Sequence, residues 1–366
     1  MSWHVPIQTR SSFKMAANTT SQENLDGGHE DYLAFDDYAD LHNSMHILSM
    51  VVYSIAFALG VVGNGLVIFV TGFRMKRTVN TIWFLNLAAA DFVFTFFLPL
   101  NVAYIALGFH WPFGKALCKL STTVASINMY ASVFLLTVIS MDRCVSVACP
   151  VWGQNYRSPR LASLVALGIW VAALVLSSPA LAFRDTRNFE ENVTRCYNNY
   201  ALSDDFQSEE VAQLEAYRHQ TMVLTRFVVG FLVPFTIILF CYGIITARLR
   251  GNRLTHSRRP FKIMVAVVLA FFVCWFPYHV FSFLEMSVTT VSPWLETVLV
   301  MGIPLATGLA YLNSCLNPFL YVFVGQDFRE KLRMSVLAAF ENAFSETSAQ
   351  AFSKSKSSAE MECHLV

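Results

Sequence analysis

The chain has 366 residues, 55% of them hydrophobic and 14% charged, with a net charge of +1. Soluble domains carry about 25% charged residues, so the deficit points to lipid, and the near-neutral balance excludes the electrostatic footprint of a nucleic-acid binder. Eight cysteines without a C-x-x-C pair exclude a disulfide-dense scaffold and a zinc or thiol redox motif.

The chain opens on an acidic segment, residues 1–44, with Glu23, Asp26, Glu30, Asp31, Asp36, Asp37 and Asp40. It holds no continuous apolar run, so no cleaved signal peptide is expected and the first apolar helix is the expected membrane signal. Seven stretches then qualify as spans, near 45–73, 80–107, 115–148, 160–182, 218–248, 260–287 and 295–323. Each reaches the roughly 20 apolar residues that hydrocarbon about 30 Å thick requires. The predicted fold is an all-α membrane protein, a seven-transmembrane helix bundle over 45–323.

Linkers after spans one, three and five, and the segment after span seven, carry Arg74, Lys76, Arg77, Arg157, Arg160, Arg250, Arg253, Arg258, Arg259, Arg329, Lys331 and Arg333. The positive-inside rule places these in the cytoplasm. The amino-terminal segment then lies outside, as do the glycosylation sequons at Asn18 and, in the loop after span four, Asn192. Cys118 and Cys196 sit beside outer loops, where the compartment is oxidising, and are expected to form a disulfide. Residues 324–366 lie inside. There, Gly325 to about Asn342 sets Phe328, Leu332, Val336 and Leu337 against Arg329, Lys331 and Arg333, the pattern of an amphipathic helix on the membrane surface. Ser345, Thr347, Ser348, Ser353, Ser355, Ser357 and Ser358 follow in an expected disordered tail, where phosphorylation adds the negative charge that recruits arrestin.

Polar groups inside lipid are costly and face the bundle interior. Asn64, Asp91, Asn128, Arg226, Asn313 and Asn317 are the candidates. Asn313, Asn317 and Tyr321 recur every fourth residue, as do Asn128 and Ser132, so each set lines one helix face. With Asp91 they form a pocket of oxygen donors suited to a sodium ion; hydrogen bonds between helices are the alternative. Cys118 and Arg143 stand about 37 Å apart along span three at roughly 1.5 Å per residue, so that helix crosses the bilayer. Asp142 beside Arg143 is able to hold it in one state and release it in another; a snorkelling arginine is the alternative. Pro99, Pro179, Pro234, Pro277, Pro304 and Pro318 each remove a helical hydrogen bond and permit a kink. Trp275 stands two residues before Pro277, as packing or as a hinge.

In order along the chain stand Gly63-Asn64, Leu87-Ala88-Ala89-Ala90-Asp91, Asp142-Arg143-Cys144, Trp170, Pro234, Tyr242, Cys274-Trp275-Phe276-Pro277 and Asn317-Pro318-Phe319-Leu320-Tyr321. This ordered set resembles the rhodopsin-like class of G-protein-coupled receptors. The stretches HWPFGKALCK from His110, SVFLLTVISMDRC from Ser132, PVWGQNYRSPRLA from Pro150 and NPFLYVFVGQDF from Asn317 are similar to the chemoattractant group, which includes chemerin, formyl-peptide and prostaglandin D receptors. The resemblance runs over roughly residues 45–345. It implies an allosteric sodium ion held by Asp91, Asn128, Ser132, Asn313 and Asn317, and a switch in which Arg143, Tyr242, Trp275, Pro277, Pro318 and Tyr321 open a cleft for a heterotrimeric G protein, of the inhibitory type. It also implies a plasma-membrane receptor for a chemoattractant, with chemerin or a chemerin-like peptide first. Cys144 replaces the commoner tyrosine after Arg143.

Arg226, two turns into the expected span five, has a planar fork suited to a ligand carboxylate; snorkelling is again the alternative. Glu285 at the outer end of span six joins it as a ligand-binding candidate. Tyr32 and Tyr38, set among acids, resemble sulfated amino termini that attract basic protein ligands, the alternative being a solvated tail. No P-loop, G-x-S-x-G or H-E-x-x-H motif points to an enzyme. An ion-coupled transporter, expected to show inverted repeats, and a ligand-scavenging receptor are the remaining alternatives.

Overall fold

The computed structural model describes residues 28–190, 192–203, 208–251, 259–287 and 293–324, with 330, 333 and 334. Asn18, nearly all of the expected amphipathic helix and the serines and threonine from Ser345 to Ser358 lie outside the described residues.

Seven helices are long and apolar enough to cross a membrane: span one Asp40–Arg74, two Val79–Ala106, three Gly114–Ala148, four Pro159–Phe183, five Glu209–Arg248, six Val265–Met286 and seven Thr297–Phe319. Two ends depart from expectation. The first helix begins at Gly28 rather than 45, so Tyr32 and Tyr38 fall on its backbone, and span five begins at Glu209 rather than 218. Neither 29–59 nor 209–229 contains a proline or glycine, so nothing stops the helix where the apolar run stops. Glu209 and Glu210 in the first turn favour the positive helix end.

Local chemistry sets the other boundaries. Thr78 and Thr81 close a reciprocal capping box at the start of span two, while Ser158 caps span four ahead of Pro159. Span two breaks at Phe97 just before Pro99 and span four at Ser178 before Pro179, as the missing N–H groups require. Pro277, Pro304 and Pro318 stay inside continuous helices. A π turn, Val228–Leu232, precedes Pro234 in span five.

Packing ranks the helices. In the most apolar stretch of spans three and seven 67% of residues are buried, against 28% in spans one and four, so the polar residues of spans three and seven sit at the bundle centre rather than against lipid. Leu87, Leu135, Ile238, Phe271 and Trp275 form the main buried cluster, and the Trp170 indole donates to Asn86 Oδ1 at 2.9 Å, tying span four to span two. Spans six and seven approach so closely at Gly302 that a Cβ there would overlap the Phe281 ring. Overpacking of this kind costs about 1–3 kcal/mol. Gly302→Ala is expected to lower the melting temperature of detergent-solubilised protein, and Phe281→Leu to restore part of it; unchanged melting in Gly302→Ala would refute the close contact.

Between spans four and five lies a hairpin that periodicity did not announce. Strand β1, Arg184–Glu190, pairs antiparallel with β2, Val193–Asn198. Asn192 turns it with φ of 69°, a left-handed conformation that asparagine tolerates, and its exposed side chain leaves the sequon accessible. Cys196 is joined to Cys118 at the start of span three, as expected. The Trp111 amide donates to the Thr194 carbonyl at 2.7 Å, and the Thr194 amide to His110 Nδ1 at 3.1 Å. The hairpin is thereby fastened across one end of the bundle.

Candidate functional site

Beneath the hairpin a cavity of about 690 Å³ is lined from spans three, five, six and seven. Arg226 and Glu285 both face it, as do Tyr278, His219 and, at its floor, Trp275 and Met129. The Arg226 guanidinium donates from Nη1 to the Tyr278 hydroxyl at 2.6 Å and lies 5.9 Å from that ring's centroid. Tyrosine orients the arginine but does not neutralise it. Among the described residues no ion pair joins Arg226 to Glu285, so both charges remain available to a third group in the cavity. Trp275 packs between Phe271 and Tyr278, tilted against the first ring and edge-on to the second, so the residue two before Pro277 is in direct contact with the arginine's partner.

A residue the sequence reading missed stands beside this cavity. Arg184, the first residue of β1, is only 5% exposed and lines a smaller void with Tyr104, Asn101 and Tyr311. It donates to Asn198 Oδ1 at 3.1 Å and to Cys196 Sγ at 3.0 Å, while its Nε has no partner. Burial lowers its pKa to about 10, with Tyr104, Tyr200 and Tyr311 opposing; it is still a cation at neutral pH, and no carboxylate pairs with it among the described residues. Its only signal in the sequence was a single arginine closing an apolar run, which reads as snorkelling until the hairpin buries it. Close by, Lys115 and the Thr186 amide hold the Asp185 carboxyl below its usual range against a desolvation that opposes them.

At the bundle centre Asp91 is fully buried. Its Oδ1 accepts from Asn128 Nδ2 and its Oδ2 from Asn317 Nδ2, each at 2.8 Å. Ser314, which periodicity did not single out, donates to Asn128 Oδ1 at 3.2 Å, and Asn64 donates to the Ser314 carbonyl at 2.8 Å. Spans two, three and seven are thus joined through one carboxylate, and span one joins them at the Ser314 carbonyl. Ser132 Oγ and Asn313 Oδ1 are buried without a hydrogen-bond partner. Two orphaned oxygens on the faces that carry Asn128 and Asn317 fit a donor set for a hard cation.

At the opposite end the arrangement differs from the one expected. Asp142 pairs with Arg157, from the loop after span three, rather than with its neighbour Arg143: Nε to Oδ1 at 2.8 Å and Nη2 to Oδ2 at 3.0 Å. Neighbours on a helix point some 100° apart, whereas Arg157 approaches from outside the helix and presents both fork nitrogens. Arg143 instead donates to Asn80 Oδ1 at 2.6 Å. Tyr242 lies near Ser140 and Arg143; the Tyr321 side chain is outside the described residues.

A charged cavity at one end and a half-buried arginine beside an acid at the other, carried by the same membrane-crossing helices, form an arrangement suited to a transmembrane receptor. Residues 63–321 match the family model of the 7 transmembrane receptor (rhodopsin family), and the chain belongs to that family, the class A G-protein-coupled receptors. It is 48% identical over 305 residues to the chemerin-like receptor 1 of Mus musculus, covering 82% of this chain and 81% of that one. It is 44% identical over 347 residues to the C3a anaphylatoxin chemotactic receptor of Danio rerio, covering 94% and 91%, and 42% identical over 324 residues to the chemerin-like receptor 2 of Macaca fascicularis, covering 86% and 89%. The protein is therefore a multi-pass membrane receptor and not an enzyme.

Proposed function

We propose that this receptor is activated by the C-terminus of a chemerin-like peptide and signals through inhibitory G proteins. The observation that carries the reading is Arg226, a cation at the cavity that bonds to a tyrosine and, among the described residues, forms no ion pair with a carboxylate although Glu285 lines the same cavity, so a peptide's terminal carboxylate completes it. Arg184 offers a second cation within the same end of the bundle, and Glu285 an acceptor for the peptide's N–H groups. The cavity end faces outward, with the amino terminus, glycosylated Asn18 and Asn192, and an acidic segment in which Tyr32 and Tyr38 draw in a basic protein ligand. The phosphorylated tail recruits arrestin. A lipid mediator with one carboxylate is the second reading, since the half-buried Arg226 in a cavity of about 690 Å³ serves it too. Release of Arg143 to the G protein separates a signalling receptor from a scavenger. In transfected cells the C-terminal peptide of chemerin should lower cyclic AMP, and both Arg143→Ala and pertussis toxin should abolish this. A wild-type receptor that is at the surface yet silent moves the assignment to another chemoattractant.

Asp91, Asn128, Ser132, Asn313 and Asn317 hold the sodium ion in this reading. When bound, the ion supplies positive charge to the Asp91 carboxylate that the amides of Asn128 and Asn317 otherwise supply in part. Raising sodium chloride against an equal concentration of choline chloride should weaken peptide binding by about fivefold or more, the usual scale of allosteric coupling. In Asp91→Asn the two salts should act alike; a persisting difference would place the sodium effect elsewhere.

A further inference from the structure

Four groups meet at the end of the bundle away from the hairpin, and their hydrogen bonds are unevenly shared. Arg157 takes both oxygens of Asp142 and also donates from Nη2 to Asn80 Oδ1 at 2.7 Å. Arg143 donates to that same oxygen at 2.6 Å, and its Nε is buried without a partner. Two guanidinium groups thus converge on one neutral amide while Arg157 takes both oxygens of Asp142, the one carboxylate that bonds to either of them among the described residues. A forked, charge-assisted pair is stronger than a bond to an amide, so Arg143 is the loosely held member.

Arg157 owes its position to the loop. The short helix Pro150–Tyr156 follows span three directly, and Gly153 sits against Ser146: a Cβ added at Gly153 would lie 3.5 Å from the Ser146 Cα, in ordinary van der Waals contact. The Arg157 amide is bonded to the Gly153 carbonyl at 3.2 Å. Folding of this helix therefore delivers the Arg157 fork to Asp142, and its unfolding withdraws it.

We infer that Arg157 is a positioning residue of the switch: by occupying Asp142 it keeps Arg143 free of its own neighbour and available to the G protein. Asn80 keeps the two arginines in register. Without Arg157, Asp142 has two vacant acceptor oxygens beside a guanidinium with a vacant donor, and recaptures Arg143. The loop after span three then sets the fraction of receptors competent to couple, a bias on a two-state equilibrium. This rests on the family's coupling to G proteins and is independent of the ligand assigned above.

The test is ligand-free nucleotide exchange on an inhibitory G protein in membranes, at receptor number equalised by a surface epitope. Arg157→Gln should reduce exchange by about fivefold, with Arg157→Lys, which keeps the charge and loses the fork, falling in between. In an Asp142→Asn background, where no captor remains, Arg157→Gln should change nothing. An equal loss in both backgrounds overturns the inference, because Arg157 would then touch the G protein itself; so does undiminished exchange in Arg157→Gln. A wrong ligand would silence the peptide in every variant and leave these ligand-free ratios intact. Should Arg157→Gln fail to reach the surface, Arg157→Lys across the two backgrounds gives the same comparison.

Discussion

Replacing Arg226 by alanine should raise the half-maximal concentration of a carboxylate-terminated peptide by about a hundredfold, while surface expression stays near wild type. Truncating one partner of a buried, hydrogen-bonded charge pair costs about 2–5 kcal/mol, and roughly 1.4 kcal/mol is tenfold in affinity. The loss should depend on the ligand: a peptide amidated at its C-terminus is expected to be weak at wild type and no weaker at Arg226→Ala. If the amidated and free-acid peptides lose potency equally, the carboxylate is not what Arg226 reads. Arg226→Lys keeps the charge but not the fork that reaches Tyr278 Oη, so it should recover only part of the potency. Arg184→Gln is a graded control, expected to weaken the same peptide less if the terminal carboxylate sits nearer Arg226.

The second large effect is loss of the disulfide. Cys118 and Cys196 close a loop of sequence separation 78, which in the chain-entropy account is worth about 4.5 kcal/mol in water. The membrane already restrains both ends, so that value is an upper bound. Function should suffer more than folding, because the hairpin that Cys196 anchors carries Arg184 and roofs the cavity. Cys118→Ala with Cys196→Ala is expected to lower surface expression several-fold and to abolish the peptide response of the receptors that do arrive. A double variant responding with wild-type potency would show that Trp111 and His110 suffice to hold the hairpin.

These two effects divide along what local chemistry does and does not determine. Seven apolar stretches, the prolines of spans two and four, and the Cys118–Cys196 pair are local or compositional features, and they were legible because lipid imposes one length and one polarity on every crossing helix. Asp91 was legible for the converse reason, since a carboxylate in such a run has to be paired. Helix ends were read less well: hydropathy marks where lipid ends, whereas the helices beginning at Gly28 and Glu209 extend beyond it through polar residues that contain no breaker.

The hairpin has few apolar residues and no clear alternation, and it exists because a disulfide and the Trp111 backbone fasten it to span three. That placement turned Arg184 from a terminal arginine into a buried cation. Asp142 and Arg143 are adjacent in sequence, which suggested a pair. Only the folded loop shows that Arg157, fifteen residues on from Asp142, reaches that carboxylate with both fork nitrogens while Arg143 turns to Asn80. Sequence alone therefore determined the class, the spans and the polar positions, because burial in lipid acts on each residue by itself. Tertiary structure decided which charges meet, because hydrogen-bond geometry depends on where distant segments bring their donors.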